Sequence, residues 1–230
     1  MSLIPPTIRA VFFDAVGTLL HPEPSAADAY AAIGARFGSR LSFESILARF
    51  RTAFRRQEAL DDAAGHRTSE EREIARWRAI VAEVLDDVAD AAGCFRSLYD
   101  HFSQPDAWRV EPDAAVTLQA LTARGLVLGV CSNFDHRLRG LVAALPELAA
   151  VRHLVISSEV GWKKPAAGFF AAVTRLAKLN PEQILVVGDD VENDFDGARA
   201  AGLRALLFDP HGKSNVTPTE RIARLGDLIH

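Results

Sequence analysis

The chain has 230 residues, 49% of them hydrophobic, and 26 Lys and Arg against 30 Asp and Glu give a net charge of −4. That length supports one sizeable core, or a core domain with a smaller companion, and the charge balance argues against a nucleic-acid binder that relies on general positive charge. Charged residues interrupt every apolar stretch before it could cross a bilayer, and Cys94 and Cys131 are too few for a disulfide framework or a cysteine-based zinc site.

The start, Met1-Ser2-Leu3-Ile4-Pro5-Pro6, lacks a basic region followed by a long apolar one, so a signal peptide is not expected and a reducing cytoplasm is. The first element is the run Val11-Phe12-Phe13, which stops at Asp14 and continues Ala15-Val16-Gly17-Thr18-Leu19-Leu20. An apolar run that ends in a carboxylate reads as a buried parallel strand opening onto a site. Asp and Gly are also common turn residues, so this segment alone reads equally well as a strand and a plain turn. His21-Pro22-Glu23-Pro24-Ser25 then reads as a breaker-rich linker, with Ser25 placed to cap a helix that begins at Ala26. Residues 43–60 and 69–85 carry apolar side chains at helical spacing, and Ser69-Glu70-Glu71-Arg72 fits a helix start with acids in its first turn. The stretch up to about Phe102 therefore reads as a small all-helical module.

Strand signals return at 126–131, 153–156, 184–188 and 203–208, separated by helical patterns over 113–124, 136–145, 166–179 and 194–201. Gly125 and Gly202 stand just after helices, where a left-handed cap favours glycine. Such alternation predicts right-handed βαβ units and an α/β fold: a Rossmann-like, doubly wound parallel sheet with an α-helical bundle inserted after its first strand. The expected division is a core of 1–20 and 106–230 and a helical cap of 21–105.

Ligands of an open parallel sheet bind beyond the carboxyl ends of its strands. Besides Asp14, those ends carry Ser132-Asn133 and the acid-rich Gly188-Asp189-Asp190-Val191-Glu192-Asn193-Asp194. Ser132 to Asp135 would serve equally as a turn and helix cap, and acids at a helix start can simply complement its dipole. Crowded carboxylates at a buried strand end repel one another, however, and oxygen ligands without a histidine cluster point to magnesium. Lys163-Lys164-Pro165 places a lysine just before a helix, near the same rim, if Pro165 occupies the helix's first turn. On its own that lysine would be read as solvated; in company it can neutralise a phosphoryl group. Trp162 reads as packing.

With these four clusters in this order, the chain resembles the haloacid dehalogenase-like hydrolase superfamily over nearly its whole length. Ser132-Asn133-Phe134-Asp135-His136-Arg137-Leu138 and Gly161-Trp162-Lys163-Lys164-Pro165 are especially similar to the haloacid dehalogenase-like hydrolase domain-containing protein 3 group. The resemblance implies a phosphatase of small phosphorylated molecules that works through an aspartyl-phosphate. Asp14 would be the nucleophile; Thr18, Ser132 and the amides around Asn133 would hold phosphoryl oxygens; Lys164 would balance charge. Mg²⁺ would sit on Asp14, the main-chain carbonyl of Val16, Asp189 and Asp194, the last directly or through water.

The resemblance also exposes two departures. Most phosphatases of the family carry a second aspartate at the position of Val16, as general acid and then base, and losing such a group costs about 10²–10⁴-fold in rate. A leaving group that needs no proton, as in an acyl or aryl phosphate, would remove the need for it. A cap side chain such as Arg51, Arg55, Arg56 or His66 would be another source, although that basic run reads first as a solvated helix face. Valine there also raises two alternatives: the family's dehalogenases, which lack the second aspartate and use no magnesium, and a protein that binds a phosphorylated ligand without turnover. The other departure is Ala166, which stands where many relatives have an aspartate and weakens the cap of the following helix.

Overall fold

The protein is described by a computed structural model over residues 3–230; Met1 and Ser2, where the leader reading begins, lie outside the described residues. The chain enters through β1 (Ala10–Phe13), passes a short strand β2 (Leu20–Pro22), and then runs through four helices: α1 (Ala26–Arg36), α2 (Phe43–Ala63), α3 (Glu70–Val84) and α4 (Ala91–His101). It returns through β3 (Trp108–Val110) and then alternates: α5 (Ala114–Ala123), β4 (Val127–Ser132), α6 (Arg137–Ala144), β5 (His153–Ile156), α7 (Ser157–Val160), α8 (Ala167–Ala177) and β6 (Ile184–Gly188). A π-turn over Val191–Asp196 leads into α9 (Gly197–Ala200), β7 (Arg204–Phe208) and the edge strand β8 (Arg221–Ile222).

Six strands form one sheet in the order β5-β4-β1-β6-β7-β8, every neighbouring pair parallel. Period-2 alternation divides it into two faces. Val11 and Phe13 of β1 join Leu128, Val130, Leu185 and Val187 under α5 and α6, while Ala10 and Phe12 join Val155, Ile184 and Val186 under α8 and α9. Each fully buried Phe or Leu among them contributes about 1.5–3 kcal/mol. A third cluster, from Tyr30 and Ile46 to Ile80 and Leu98, belongs to the inserted helices. Ser25, Ser42 and Ser69 cap α1, α2 and α3 by accepting the amides of Asp28, Ser45 and Arg72, and Gly125 and Gly202 take φ of +80° and +83° as a left-handed cap requires.

Three local expectations are corrected. The linker read from His21 begins as a strand: Leu20–Pro22 pairs antiparallel with Trp108–Val110. Three residues are too few to show alternation, and their partner lies far along the chain. Pro165 is not in the first turn of α8; Ala166 is the cap residue, with no side-chain cap bond, and Pro165 precedes it. The helix expected over 194–201 begins at Val191 as a π-turn, because Asp190 accepts the Asn193 amide at 2.8 Å and starts the turn early.

Candidate active site

Strand register assembles the site. Phe13 is level with Val130 of β4 and Val187 of β6, so Asp14 leaves β1 level with Cys131 and Gly188 at the carboxyl ends of its two neighbours. β1 lies where consecutive connections diverge to its two neighbours, the position at which such sheets open a crevice. The Asp14 amide donates to the Val187 carbonyl at 2.8 Å and fixes where the carboxylate points. The loop after it passes close to β6: Gly17 has φ +99°, and a Cβ there would collide with the Asp189 carboxylate. Gly188 is equally constrained, since a Cβ would run into Asp194.

Asp14, Asp189 and Asp194 each offer an oxygen, all within 4.8 Å of one another. Lys164 is buried among them; its Nζ donates to Asp14 Oδ1 at 2.5 Å, to the Cys131 carbonyl at 3.1 Å and to Asp194. Burial alone would lower the Lys164 ammonium, but Asp14 and Asp194 outweigh it and hold it above the usual lysine range. Asp189 opens onto the cavity yet is hemmed in by protein; that desolvation, then the charge of Asp14, pushes its carboxyl up to about 6 against the hydroxyl of Thr18. Burial likewise raises Asp194, with Lys164 opposing and Asp14 adding to the shift. Three carboxylates facing one ammonium leave a formal charge of −2 in a mostly buried, oxygen-only site. That donor set fits a hard divalent cation.

Asn133 orients Lys164: its Nδ2 donates to the Lys164 carbonyl at 3.1 Å, and its Oδ1 accepts the Lys164 amide at 2.7 Å. Asp14, Val16, Ser132, Asn133, Lys164, Asp189 and Asp194 all border one cavity of about 570 Å³ between the sheet's carboxyl edge and the inserted helices. Thr18 does not border it. Its fully buried hydroxyl donates to Asp189 Oδ1 at 3.2 Å, so it supports a carboxylate rather than facing the space above Asp14. Arg51, Arg55 and Arg56 are exposed, as a solvated helix face, whereas His66 lines the cavity.

A second polar centre, not marked in the sequence, joins the helices to the sheet. Asp61 of α2 accepts from Lys163 Nζ at 2.6 Å, from Arg72 at 2.7 Å and from Arg76. Burial alone would raise the Asp61 carboxyl, but Lys163, Arg76 and Arg72 hold it below the usual range. The Lys163 amide donates to the His66 carbonyl at 2.9 Å, and the Arg67 guanidinium lies 3.6 Å over the Trp162 ring, which makes Trp162 a packing residue. Glu70 of α3 meets His136 at 2.7 Å and Ser158; Arg137, paired to Asp135 at 2.7 Å, donates to the Tyr99 carbonyl of α4 at 3.1 Å. Only the adjacency of Lys163 to Lys164 hints at this, since nothing in the helical pattern marks Asp61 as inward-facing. Glu58, about one turn before Asp61 and Asp62, is equally unmarked in sequence; it lines the cavity, and burial pushes its carboxyl up.

The sequence profile of haloacid dehalogenase-like hydrolases matches residues 8–202. The chain is 30% identical over 236 aligned positions to the human haloacid dehalogenase-like hydrolase domain-containing protein 3, covering 97% of this chain and 92% of that one. It is 29% identical to the ribulose-1,5-bisphosphate 5-phosphatase of Halopiger xanaduensis, covering 90% of this chain and 87% of the relative. In fold it is similar to the L-2-haloacid dehalogenase of Xanthobacter autotrophicus, with a TM-score of 0.75 and 19% identity over 96% of this chain and 97% of that one. No helix among the described residues is long and apolar enough to cross a membrane. The strand-end carboxylates, their lysine and this likeness over most of the chain place it in the haloacid dehalogenase-like hydrolase family.

Proposed function

We propose that the protein is a magnesium-dependent phosphatase of small phosphorylated metabolites, with α1–α4, within residues 21–105, as a cap over a core of 1–20 and 106–230. The carrying observation is the buried set of Asp14, Asp189 and Asp194 around Lys164. A carboxylate aimed into a cavity, beside a fixed cation and a second pair of acids, suits covalent phosphoryl transfer. Magnesium, when held by Asp14, Asp189, the Val16 carbonyl and Asp194, directly or through water, supplies positive charge against the phosphoryl oxygens.

Asp14 attacks phosphorus in line with the leaving oxygen, and the aspartyl-phosphate that forms is hydrolysed by water. Ser132 and the amides around Asn133 receive the phosphoryl oxygens, and Thr18 keeps Asp189 oriented. Lys164 balances the charge of Asp14 before attack and of the phosphoryl group after it. The phosphatase names among the relatives support this reading, and the acidic triad favours it over a metal-free dehalogenase.

The test is phosphate release from a panel of acyl, aryl and sugar phosphates with magnesium, with and without chelator. Release is expected to stop on chelation and to return when magnesium is restored. Release indifferent to chelator would sink the metal assignment, and chloride released from 2-chloropropionate under chelation would make the protein a dehalogenase.

Val16 yields a separate prediction. It is 37% exposed beside Asp14 and carries no proton. Val16→Asp is expected to raise turnover of alkyl phosphates by up to about 10²-fold, and that of p-nitrophenyl phosphate by much less. Equal gains on both would show that proton supply is not what the valine lacks.

A further inference from the structure

The cavity above Asp14 has a composition that the chemistry of phosphate transfer alone does not require. One wall is a chain of aromatic rings from three inserted helices. Tyr30 meets Phe50 edge-on with centroids 5.1 Å apart, Phe50 stacks on Phe54 at 6.0 Å, and Phe54 leans on Trp77 at 6.3 Å. A second aromatic series stands on the side where the chain re-enters the sheet: Phe102 to Trp108 at 5.9 Å, then Trp108 to Phe134 at 6.0 Å. All of these rings border the cavity.

Its charges are as telling. Nine acidic side chains border it against four lysines and arginines. Each of those four cations already holds a protein carboxylate: Arg76 and Lys163 share Asp61, Arg137 holds Asp135, and Lys164 holds Asp14 and Asp194. A second phosphate or a carboxylate on the substrate would lose its hydration with no cation there to receive it, and would face Glu58 and Asp190.

Nearest the chemistry, Val16 puts an apolar side chain where a proton donor would serve an alkoxide. An aryl oxide leaves without that help, because its negative charge spreads into the ring.

We infer that the substrate is an aryl phosphate monoester with one phosphoryl group and no second anionic group, its ring lying between the two aromatic walls. This rests on the phosphatase reading given above. In the first step the Asp14 Oδ–P bond forms and the P–O(aryl) bond breaks; the electron pair leaves on the aryl oxygen, which takes a proton from solvent. In the second step a water oxygen bonds to phosphorus, the Asp14 Oδ–P bond breaks, and phosphate and a proton are released with the Asp14 carboxylate restored. The rings supply offset and edge-on contacts to an aromatic guest, and the acidic lining selects against bisphosphates and phospho-carboxylates.

The experiment compares kcat/KM for 1-naphthyl phosphate, glucose 6-phosphate and phosphoglycolate, with acetyl phosphate as a small reference whose leaving group needs neither a proton nor a ring pocket. The full-length protein is used with magnesium. Naphthyl phosphate is expected to exceed both glucose 6-phosphate and phosphoglycolate by about 100-fold or more. Phe54→Ala is expected to narrow the ratio of naphthyl to acetyl phosphate by about 10-fold, with an unchanged circular dichroism spectrum as evidence of folding. If acetyl phosphate is hydrolysed but phosphoglycolate or glucose 6-phosphate matches naphthyl phosphate, the aryl assignment is overturned while the phosphatase reading stands. If no substrate releases phosphate, acetyl phosphate included, both are overturned.

Discussion

Asp14→Asn is expected to lower phosphate release by roughly 10⁴-fold or more, with the fold retained. The amide has the shape of the carboxylate but no anionic oxygen to attack phosphorus. Its structural cost is small, because Lys164 keeps Asp194 and the Cys131 carbonyl as partners and the crowded site loses one of its negative charges. The measurement pairs phosphate release with a thermal melt. In the wild type, acid quenching during turnover should trap one phosphoryl group on the peptide that contains Asp14, and the variant should trap none. Activity of the Asp14→Asn variant within about 10-fold of wild type would overturn covalent catalysis by this residue.

Asp61→Asn is expected to cost about 3–5 kcal/mol of stability, because it takes the nearest counter-charge from two buried cations. Arg76 and Lys163 are both nearly inaccessible, and Asp61 is the carboxylate at hydrogen-bond distance from each, with Glu73 3.9 Å from Lys163. For a chain of this length, that loss corresponds to a fall in melting temperature on the order of 10 °C. The pH dependence has a definite sign: the folded-state carboxyl is held below its unfolded value. The network therefore stabilises fully above roughly pH 4, and its contribution is lost as the pH falls below that. Arg56→Ala, on the same helix as Asp61, removes an exposed pair with Glu83 and should change stability by less than about 0.5 kcal/mol. Equal losses in the two variants would show that the Asp61 centre does not hold the helices to the sheet.

The parts of the site that sequence could reveal are those attached to strand ends. Asp14, Ser132 and Asp189 each follow an apolar run, so their place along a parallel strand also gives their place in space. Asp194 is legible as part of the acid-rich stretch after β6, whereas Lys164, beyond β5 with α7 between, reads as solvated on its own and gains meaning only in company with the other clusters. Helix faces were harder to read. Phe50, Phe54, Glu58 and Asp61 fall on one stripe of α2, but the stripe turns toward the cavity only because α1 and α3 pack where they do. The resemblance assigns the Thr18 hydroxyl to a phosphoryl oxygen, whereas the close approach of Asp189 past Gly17 gives it a carboxylate partner instead. The β2–β3 pair leaves no mark in the sequence because its two halves are three residues each and more than eighty positions apart.

That small ribbon has a consequence for how the protein can change over evolutionary time. Leu20 faces Val110, Pro22 faces Trp108, and the Glu23 amide donates to the Ala107 carbonyl at 2.9 Å. The polypeptide thus leaves the six-stranded sheet and returns to it through adjoining strands. The ends of the inserted stretch are held together whatever its length, so changes that keep the Asp61, Glu70 and Tyr99 contacts leave in place the register that aligns Asp14 with Gly188. The wall of Tyr30, Phe50, Phe54 and Trp77 lies on that stretch, whereas Asp14, Lys164, Asp189 and Asp194 lie outside it, so selection can edit one wall of the cavity while leaving the carboxylate set intact.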